Sequence, residues 1–172
     1  MGIVYIPLFV YSFGIKRMIR KQLLAILLII VFAVPIYANE EEETERSLLA
    51  ELILVAAYTG NEQLLREILV SGVDRDVRDP LGHTALHLAM YQNNLTVVRL
   101  LLDHGFDLNA RGARSGHTPL HIAVTADNEA AARLLVQYGA NRNIKGTDGL
   151  TALDIARRGG KQRLASLLVN GR

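Results

Sequence analysis

The sequence of 172 residues contains no cysteine and no tryptophan, and only four prolines. Without cysteine, disulfide frameworks, thiolate metal sites and cysteine nucleophiles are excluded in any compartment. Half of the residues are nevertheless apolar, which suffices for a core and excludes a chain that is disordered throughout. The length accommodates one domain of ordinary size together with an appendage.

Charge is distributed unevenly along the chain, although the formal net charge is only +2. Lys16, Arg17, Arg20 and Lys21 are the only charged residues before Asn39. Residues 48–110 contain 4 basic and 8 acidic residues, whereas residues 111–172 contain 10 basic and 4 acidic residues. The repeat-bearing part described below is therefore acidic in its first half and basic in its second.

The N-terminal segment has the order of a targeting signal. The four basic residues precede the apolar run Leu23–Val34, which is followed by Pro35 and Ala38. This order predicts a secretory signal peptide over residues 1–38, cleaved after Ala38, with Met18 as an alternative start. The competing interpretation is an uncleaved membrane anchor, but the 16 uncharged residues from Leu23 to Ala38 would span roughly 24 Å as a helix, less than the ~30 Å hydrocarbon core. Residues 39–46 are interpreted as an acidic linker and a disordered leader.

The remainder of the chain is repetitive. The segment Gly82–Ala89, GHTALHLA, recurs as GHTPLHIA at Gly116–Ala123 and as GLTALDIA at Gly149–Ala156, with spacings of 34 and 33 residues. Each unit predicts two short helices. The first helix is expected to end at residues that tolerate a left-handed conformation, and the second at a glycine. These positions are Gly60, Asn93, Asp127 and Gly160 for the first helices, and Gly72, Gly105 and Gly139 for the second.

The motif Gly-x-Thr-Pro-Leu-His-x-Ala with a period near 33 resembles the ankyrin repeat. The resemblance implies an all-α solenoid of about four helix-turn-helix repeats, over 47–78, 79–111, 112–145 and 146–172, with projecting hairpin loops. Residues 51–54, Glu-Leu-Ile-Leu, follow Ser47 as a predicted helix cap and resemble an N-terminal capping repeat. The loop over 110–117 is one residue longer than its counterparts, and the extra residue is expected at a hairpin tip.

The histidines allow two interpretations. His83 and His87, like His117 and His121, have a spacing that could bind zinc on a continuous helix. Each pair instead straddles a predicted helix start, so the structural interpretation is favoured. The resemblance implies structural roles for Thr84, His87, Thr118, His121, Thr151 and Asp154. We expect His121 to be buried and His117 to face solvent.

Catalysis has no visible carrier in this sequence, since no serine stands in a nucleophile motif and no Walker lysine follows the glycine-rich loops. The sequence therefore predicts a protein that is not an enzyme, with no metal and no cofactor. A metal-dependent activity at the repeated histidines remains the remote alternative.

Positions that vary between repeats predict the surface that binds a protein partner. Tyr91 is the strongest candidate, because a tyrosine offers much contact area for little lost entropy. The alternative for each residue is that it varies only because solvent imposes no constraint on a position without a binding role. The candidates are Leu81, His83, Tyr91, Gln92, Arg114, Ser115, His117, Thr125, Thr147, Asp148, Leu150 and Arg158.

The basic second half contains a single aromatic residue, Tyr138, and so lacks a stacking platform for nucleic acid. Its positive charge is interpreted as a solvated face, with an acidic protein or an anionic lipid surface as the alternative. The sequence thus predicts a monomeric, periplasmic or secreted module that binds a protein of unknown identity and no nucleic acid. It would contact a membrane only if the N-terminal segment is retained, as an inner-membrane tether.

Overall fold

The computed structural model describes residues 42–92 and 94–171. Residues 46–171 belong to one compact unit, and the description below concerns that unit. The predicted signal peptide and its cleavage site lie outside the described residues, as does Asn93. Within the described ranges the chain forms eight helices and no strand, with two isolated antiparallel bridges, Arg78 with Thr84 and Lys145 with Thr151.

The helices alternate between an inner and an outer layer. The last three inner helices pack side by side, as do all four outer helices, and each of the last three repeats pairs one helix of each layer. This arrangement confirms the predicted all-α ankyrin solenoid. The inner helices are α1 (42–59), α3 (Ala85–Ala89), α5 (Pro119–Thr125) and α7 (Ala152–Arg158), and the outer helices are α2 (Glu62–Val70), α4 (Leu95–Asp103), α6 (Glu129–Gln137) and α8 (Gln162–Asn170).

Local sequence signals set the helix boundaries. The inner helices end before Gly60, Asp127 and Gly160, whose φ angles are 71°, 57° and 67°. Asp127 is the only non-glycine residue with positive φ among the described residues, consistent with the tolerance of aspartate for this conformation. The predicted left-handed positions are therefore confirmed wherever the structure describes them.

The core is shared between repeats rather than contained within each one. Every outer helix contributes an apolar residue at the same register position, and all four of these residues are buried: Ile68, Leu101, Leu135 and Leu168. One helix pair cannot cover such a face alone, so each repeat depends on its neighbours for burial.

The one-residue insertion lies at a hairpin tip, as predicted. The N–H of Asp79 donates to the carbonyl of the fourth residue after it, His83, whereas the N–H of Gly112 donates to the carbonyl of the fifth residue after it, His117.

Two expectations for the start of the domain are wrong. Residues 42–46 are helical rather than disordered, and Ser47 lies inside α1 instead of capping it. Glutamate is a good helix former, which favours a helical conformation for this acidic segment. Among the described residues, none of the helices combines the length and apolar character needed to cross a membrane.

Candidate functional site

His87 joins three parts of the structure. Its Nδ1 lies 3.2 Å from the backbone N of Thr84 and 2.8 Å from the Thr84 hydroxyl oxygen, at the start of α3. Its Nε2 lies 2.9 Å from the carbonyl oxygen of His117, in the hairpin of the next repeat. Because a backbone N–H can only donate and a carbonyl can only accept, these contacts match a neutral ring protonated at Nε2. The side chain therefore fixes both a helix start and a repeat junction.

His121 repeats this arrangement one repeat later. Its Nδ1 lies 3.1 Å from the backbone N of Thr118, and its Nε2 lies 3.2 Å from the carbonyl oxygen of Leu150. Both His87 and His121 are fully buried. The predicted burial of His121 and its bonding to backbone groups are confirmed.

The surroundings of these rings disfavour their charged form. Burial lowers the pKa of His87 to about 4, outweighing the contact with the His117 carbonyl, which raises it. Burial likewise lowers the pKa of His121. Protonation at Nδ1 would also remove the acceptor that the threonine N–H needs. Both rings are thus neutral in the folded protein at neutral pH.

His117 does not face solvent, and that expectation is wrong. Its side chain is only 21% exposed, and its ring stacks in parallel on His121 with centroids 5.0 Å apart. The hairpin of the following repeat covers it: Nε2 lies 3.3 Å from an Asp148 carboxylate oxygen, and a Cβ on Gly146 would lie 2.5 Å from the ring. A side chain at position 146 would therefore displace this ring.

Asp154 replaces histidine in the fourth repeat, where the described residues offer no following hairpin to reach. Its carboxylate accepts bonds of 3.0 Å from the backbone N–H and 2.7 Å from the hydroxyl of Thr151. The backbone bond, followed by the hydroxyl, lowers the pKa of Asp154. The short side chain keeps the local role of the histidine and gives up the bridge between repeats.

A second set of bridges was not predicted. Asn94 and Asn128 cap α4 and α6 with their side-chain amide oxygens. Their amide nitrogens donate to backbone carbonyls at the end of the inner helix of the preceding repeat, which is α1 for Asn94 and α3 for Asn128. At the same position in the fourth repeat, Lys161 donates to the carbonyls of Val124 and Thr125 at 2.7 and 2.9 Å. The sequence contained a signal for these bridges, because Asn61, Asn94 and Asn128 occupy the same position in three consecutive repeats.

The predicted partner-binding residues lie on the hairpin tips and the exposed side of the inner helices, which we call the inner-helix face. They are exposed to different degrees. The exposed residues are Leu81, Tyr91, Arg114, Thr125, Thr147, Asp148 and Arg158, and the partly buried ones are His83, Gln92, Ser115, His117 and Leu150.

Some of these tip residues hold neighbouring hairpins together. Both the N–H and the hydroxyl of Thr147 donate to the carbonyl of Ser115, at 2.8 and 3.0 Å. His83 lies 3.2 Å from an Asp79 carboxylate oxygen within its own hairpin. These residues therefore have structural roles that their variation between repeats did not reveal.

Two exposed apolar residues were missed in the first repeat. Val55 and Tyr58 lie on α1 beside Leu81 and Tyr91, with which they line one groove. Tyr58 stands 33 residues before Tyr91, at the same register position. Treating the first repeat only as a cap concealed this pair of tyrosines.

Part of the basic charge in the second half serves the fold. Besides Lys161, Arg142 donates to the carbonyl of Leu168 at 2.7 Å, near the end of α8. Basic side chains are favourable at helix C-termini, where carbonyl groups lack partners.

Among the described residues, no three His, Cys, Asp or Glu side chains are grouped as a metal site requires.

Comparison with known proteins places these observations in a family. A family model described as ankyrin repeats (3 copies) matches residues 52–146 and 112–172. The chain is 42% identical over 53 residues to a putative ankyrin repeat-containing protein of Treponema pallidum, and 44% identical over 62 residues to ankyrin repeat domain-containing protein 29 of Danio rerio. It is 41% identical over 54 residues to the potassium channel AKT1 of Arabidopsis thaliana.

These matches cover 31%, 36% and 31% of this chain, and 18%, 21% and 6% of the respective relatives. The chain therefore spans about a fifth or less of the length of these relatives. The family model, in contrast, covers most of the chain. Ankyrin repeats are typically non-enzymatic modules for protein–protein interaction. This chain belongs to the ankyrin-repeat family.

Proposed function

We propose that this chain is an exported ankyrin-repeat module that binds a protein partner through the inner-helix face. The observation that carries the proposal is Tyr91, an aromatic side chain left 49% exposed in the middle of that face. Large aromatic side chains are enriched among the residues that dominate binding energy. Four repeats also offer enough surface for a standard interface of ~800 Å² per partner.

The binding proposal is tested by substituting Tyr91, Arg114 and Arg158 together with alanine. All three are exposed, so the melting temperature should stay nearly unchanged. Capture of a partner from an extract of the native host should weaken, as measured with purified protein as bait. The matched control replaces Arg66, Val70 and Arg133, which are exposed on the outer helices. Undiminished capture by the first variant, or equal loss in both, would show that the wrong face was chosen.

The export proposal rests on the order of basic, apolar and small residues that ends at Ala38. Protein recovered from the native host should begin at Asn39, as determined by N-terminal sequencing and intact mass, and should fractionate with soluble periplasmic or secreted protein as a monomer. A dominant full-length species in the membrane fraction would instead support the second candidate, an inner-membrane tether that recruits a partner to that surface.

A further inference from the structure

The first repeat junction differs from the two that follow. Leu54 occupies the register position of His87 and His121. A leucine cannot donate to the carbonyl of His83, which is the counterpart of the carbonyls that the two histidines reach. At this junction the hairpin tip at 79–83 and the helices α1 and α3 line an open groove of about 420 Å³, which we call the first-junction groove. It is lined chiefly by Leu54, Val55, Tyr58, Leu81, Leu88 and Tyr91.

The lining of this groove is apolar and open to solvent. Val55, Tyr58, Leu81 and Tyr91 are each between 45% and 53% exposed. Single exposed apolar residues are ordinary on protein surfaces, but a contiguous group of large ones marks an interaction site. Within the described residues, about half of each of these side chains is left uncovered and is therefore accessible to a ligand.

The same surface becomes polar at the later junctions. The register position of Tyr58 and Tyr91 holds Thr125 in the third repeat and Arg158 in the fourth. The register position of Leu81 corresponds to residues 114–115 in the third repeat and to residue 148 in the fourth, all of which are polar. The apolar part of the inner-helix face is thus confined to the first junction, which defines where a bulky apolar group would bind.

The charge around the groove is negative. Glu51 is exposed one turn before Val55, on the same side of α1 as Val55 and Tyr58. Asp79 lines the groove at the hairpin, and residues 48–110 hold 8 acidic against 4 basic residues. The nearby Arg78 directs its guanidinium to the carbonyls of Gly82 and Arg111. A basic ligand would complement this surface, whereas an acidic one would be repelled.

We propose that the first-junction groove binds a basic segment of the protein partner, with one aromatic or branched aliphatic side chain inserted between Tyr58, Leu81 and Tyr91. This inference rests on the proposed function, since it specifies the chemistry of the partner at one part of the same face. The apolar side chain supplies most of the affinity, and the basic residues around it supply orientation and a faster association rate.

The experiment selects ligands from a library of random displayed peptides with the purified protein. Enriched peptides should carry a net positive charge and a large aromatic or aliphatic residue. One enriched peptide is then synthesised, and its Kd is measured for the parent and for single variants. Leu81→Lys, which places a charge at an exposed tip, should weaken binding at least about tenfold. Glu51→Lys should weaken it less at physiological salt, and its effect should fade as salt rises.

Two control variants make the outcome specific. Val70→Lys places the same charge on an outer helix at an 88% exposed residue and should leave Kd unchanged. Arg163→Glu reverses a charge at an exposed position of α8, an outer helix, and should likewise leave Kd unchanged. Circular dichroism of each variant confirms that it is folded before its Kd is interpreted.

Several results would overturn the inference. Enrichment of acidic peptides whose binding depends on Arg158 but not on Leu81 would contradict it and leave the proposed function intact. Concentration-dependent self-association abolished by Leu81→Lys would show that a second copy of this chain fills the groove. If no peptide is enriched, or if no variant at the groove alters binding, the inference fails. The proposed function fails only if the capture experiment with the Tyr91, Arg114 and Arg158 variant also shows undiminished binding.

Discussion

The first repeat junction and the two later junctions are built with different chemistry. At the later junctions a buried histidine, His87 or His121, connects its own helix start to a carbonyl of the next hairpin. At the first junction Leu54 stands in its place, and Asn94 donates to the carbonyl of Gly60, at the end of the inner helix of the preceding repeat. The histidine thus links two repeats by hydrogen bonds, whereas the first junction combines Leu54 with an apolar groove.

Acid should weaken the two later junctions most. The unfolded chain has a histidine pKa near 6.5, whereas burial holds that of His87 at about 4. The unfolded state therefore binds the proton more tightly, and the stability from the neutral ring is present above about pH 6.5 and lost as the pH falls towards 4. The expected loss is about 3 kcal/mol for His87 at pH 4, with a further loss from His121, measured by urea denaturation across this range.

A control variant separates this effect from general acid sensitivity. In His87→Leu the group that titrates is absent, so the free energy of unfolding should vary less between pH 7 and pH 4 than in the parent protein. An equally steep pH dependence in both proteins would show that His87 is not the group responsible.

Substitution at register-equivalent positions sharpens the comparison. His87→Ala should lower the free energy of unfolding by about 2 to 3 kcal/mol, because it leaves the Thr84 N–H and the His117 carbonyl without their partner. Leu54→Ala should cost only about 1 kcal/mol, since full burial of a leucine is worth about 1.5 to 3 kcal/mol and Leu54 is partly buried. Equal losses in chemical denaturation would contradict the distinction between the two junctions.

Zinc distinguishes a bridge from a metal ligand set. His121→Ala should cost about 1 to 3 kcal/mol whether or not zinc is added, because its partners are backbone groups. His117→Ala should cost about 0.5 to 1 kcal/mol, reflecting partial burial of its ring and a contact with the exposed carboxylate of Asp148. If both variants lose stability equally, and only when the parent sample contains zinc, the two histidines form a metal site.

The smallest effect is expected at the last repeat, where only the local half of the motif remains. Asp154→Ala should lower the midpoint of denaturation less than His121→Ala does, because it removes bonds to Thr151 but no bridge. Since the pKa of Asp154 is lowered in the folded state, its stabilising contribution is present at neutral pH and lost as the carboxylate protonates in acid. Asp154→Asn keeps an oxygen that can accept a hydrogen bond from Thr151, so this variant should retain part of the stability. If Asp154→Ala loses as much stability as His121→Ala, Asp154 makes a contact that has not been recognised.

Several features could be predicted because they depend on residues close in sequence. The Thr–His motif starts an inner helix within four residues, and Asp127 or a glycine ends it through backbone conformation alone. The start of the domain was misjudged for a related reason: Ser47 is compatible with capping, yet the glutamates before it are themselves helix formers.

The sequence by itself determined the period, the helix pairs and the turn positions, since each is encoded within one repeat. Only the tertiary structure decided which carbonyl each histidine reaches, how the hairpin at Gly146 covers His117, and that Tyr58 and Tyr91 line one groove. Such contacts join residues about 30 positions apart. Local periodicity gives their register, but whether a position is buried or exposed depends on the side chains that the next repeat places against it.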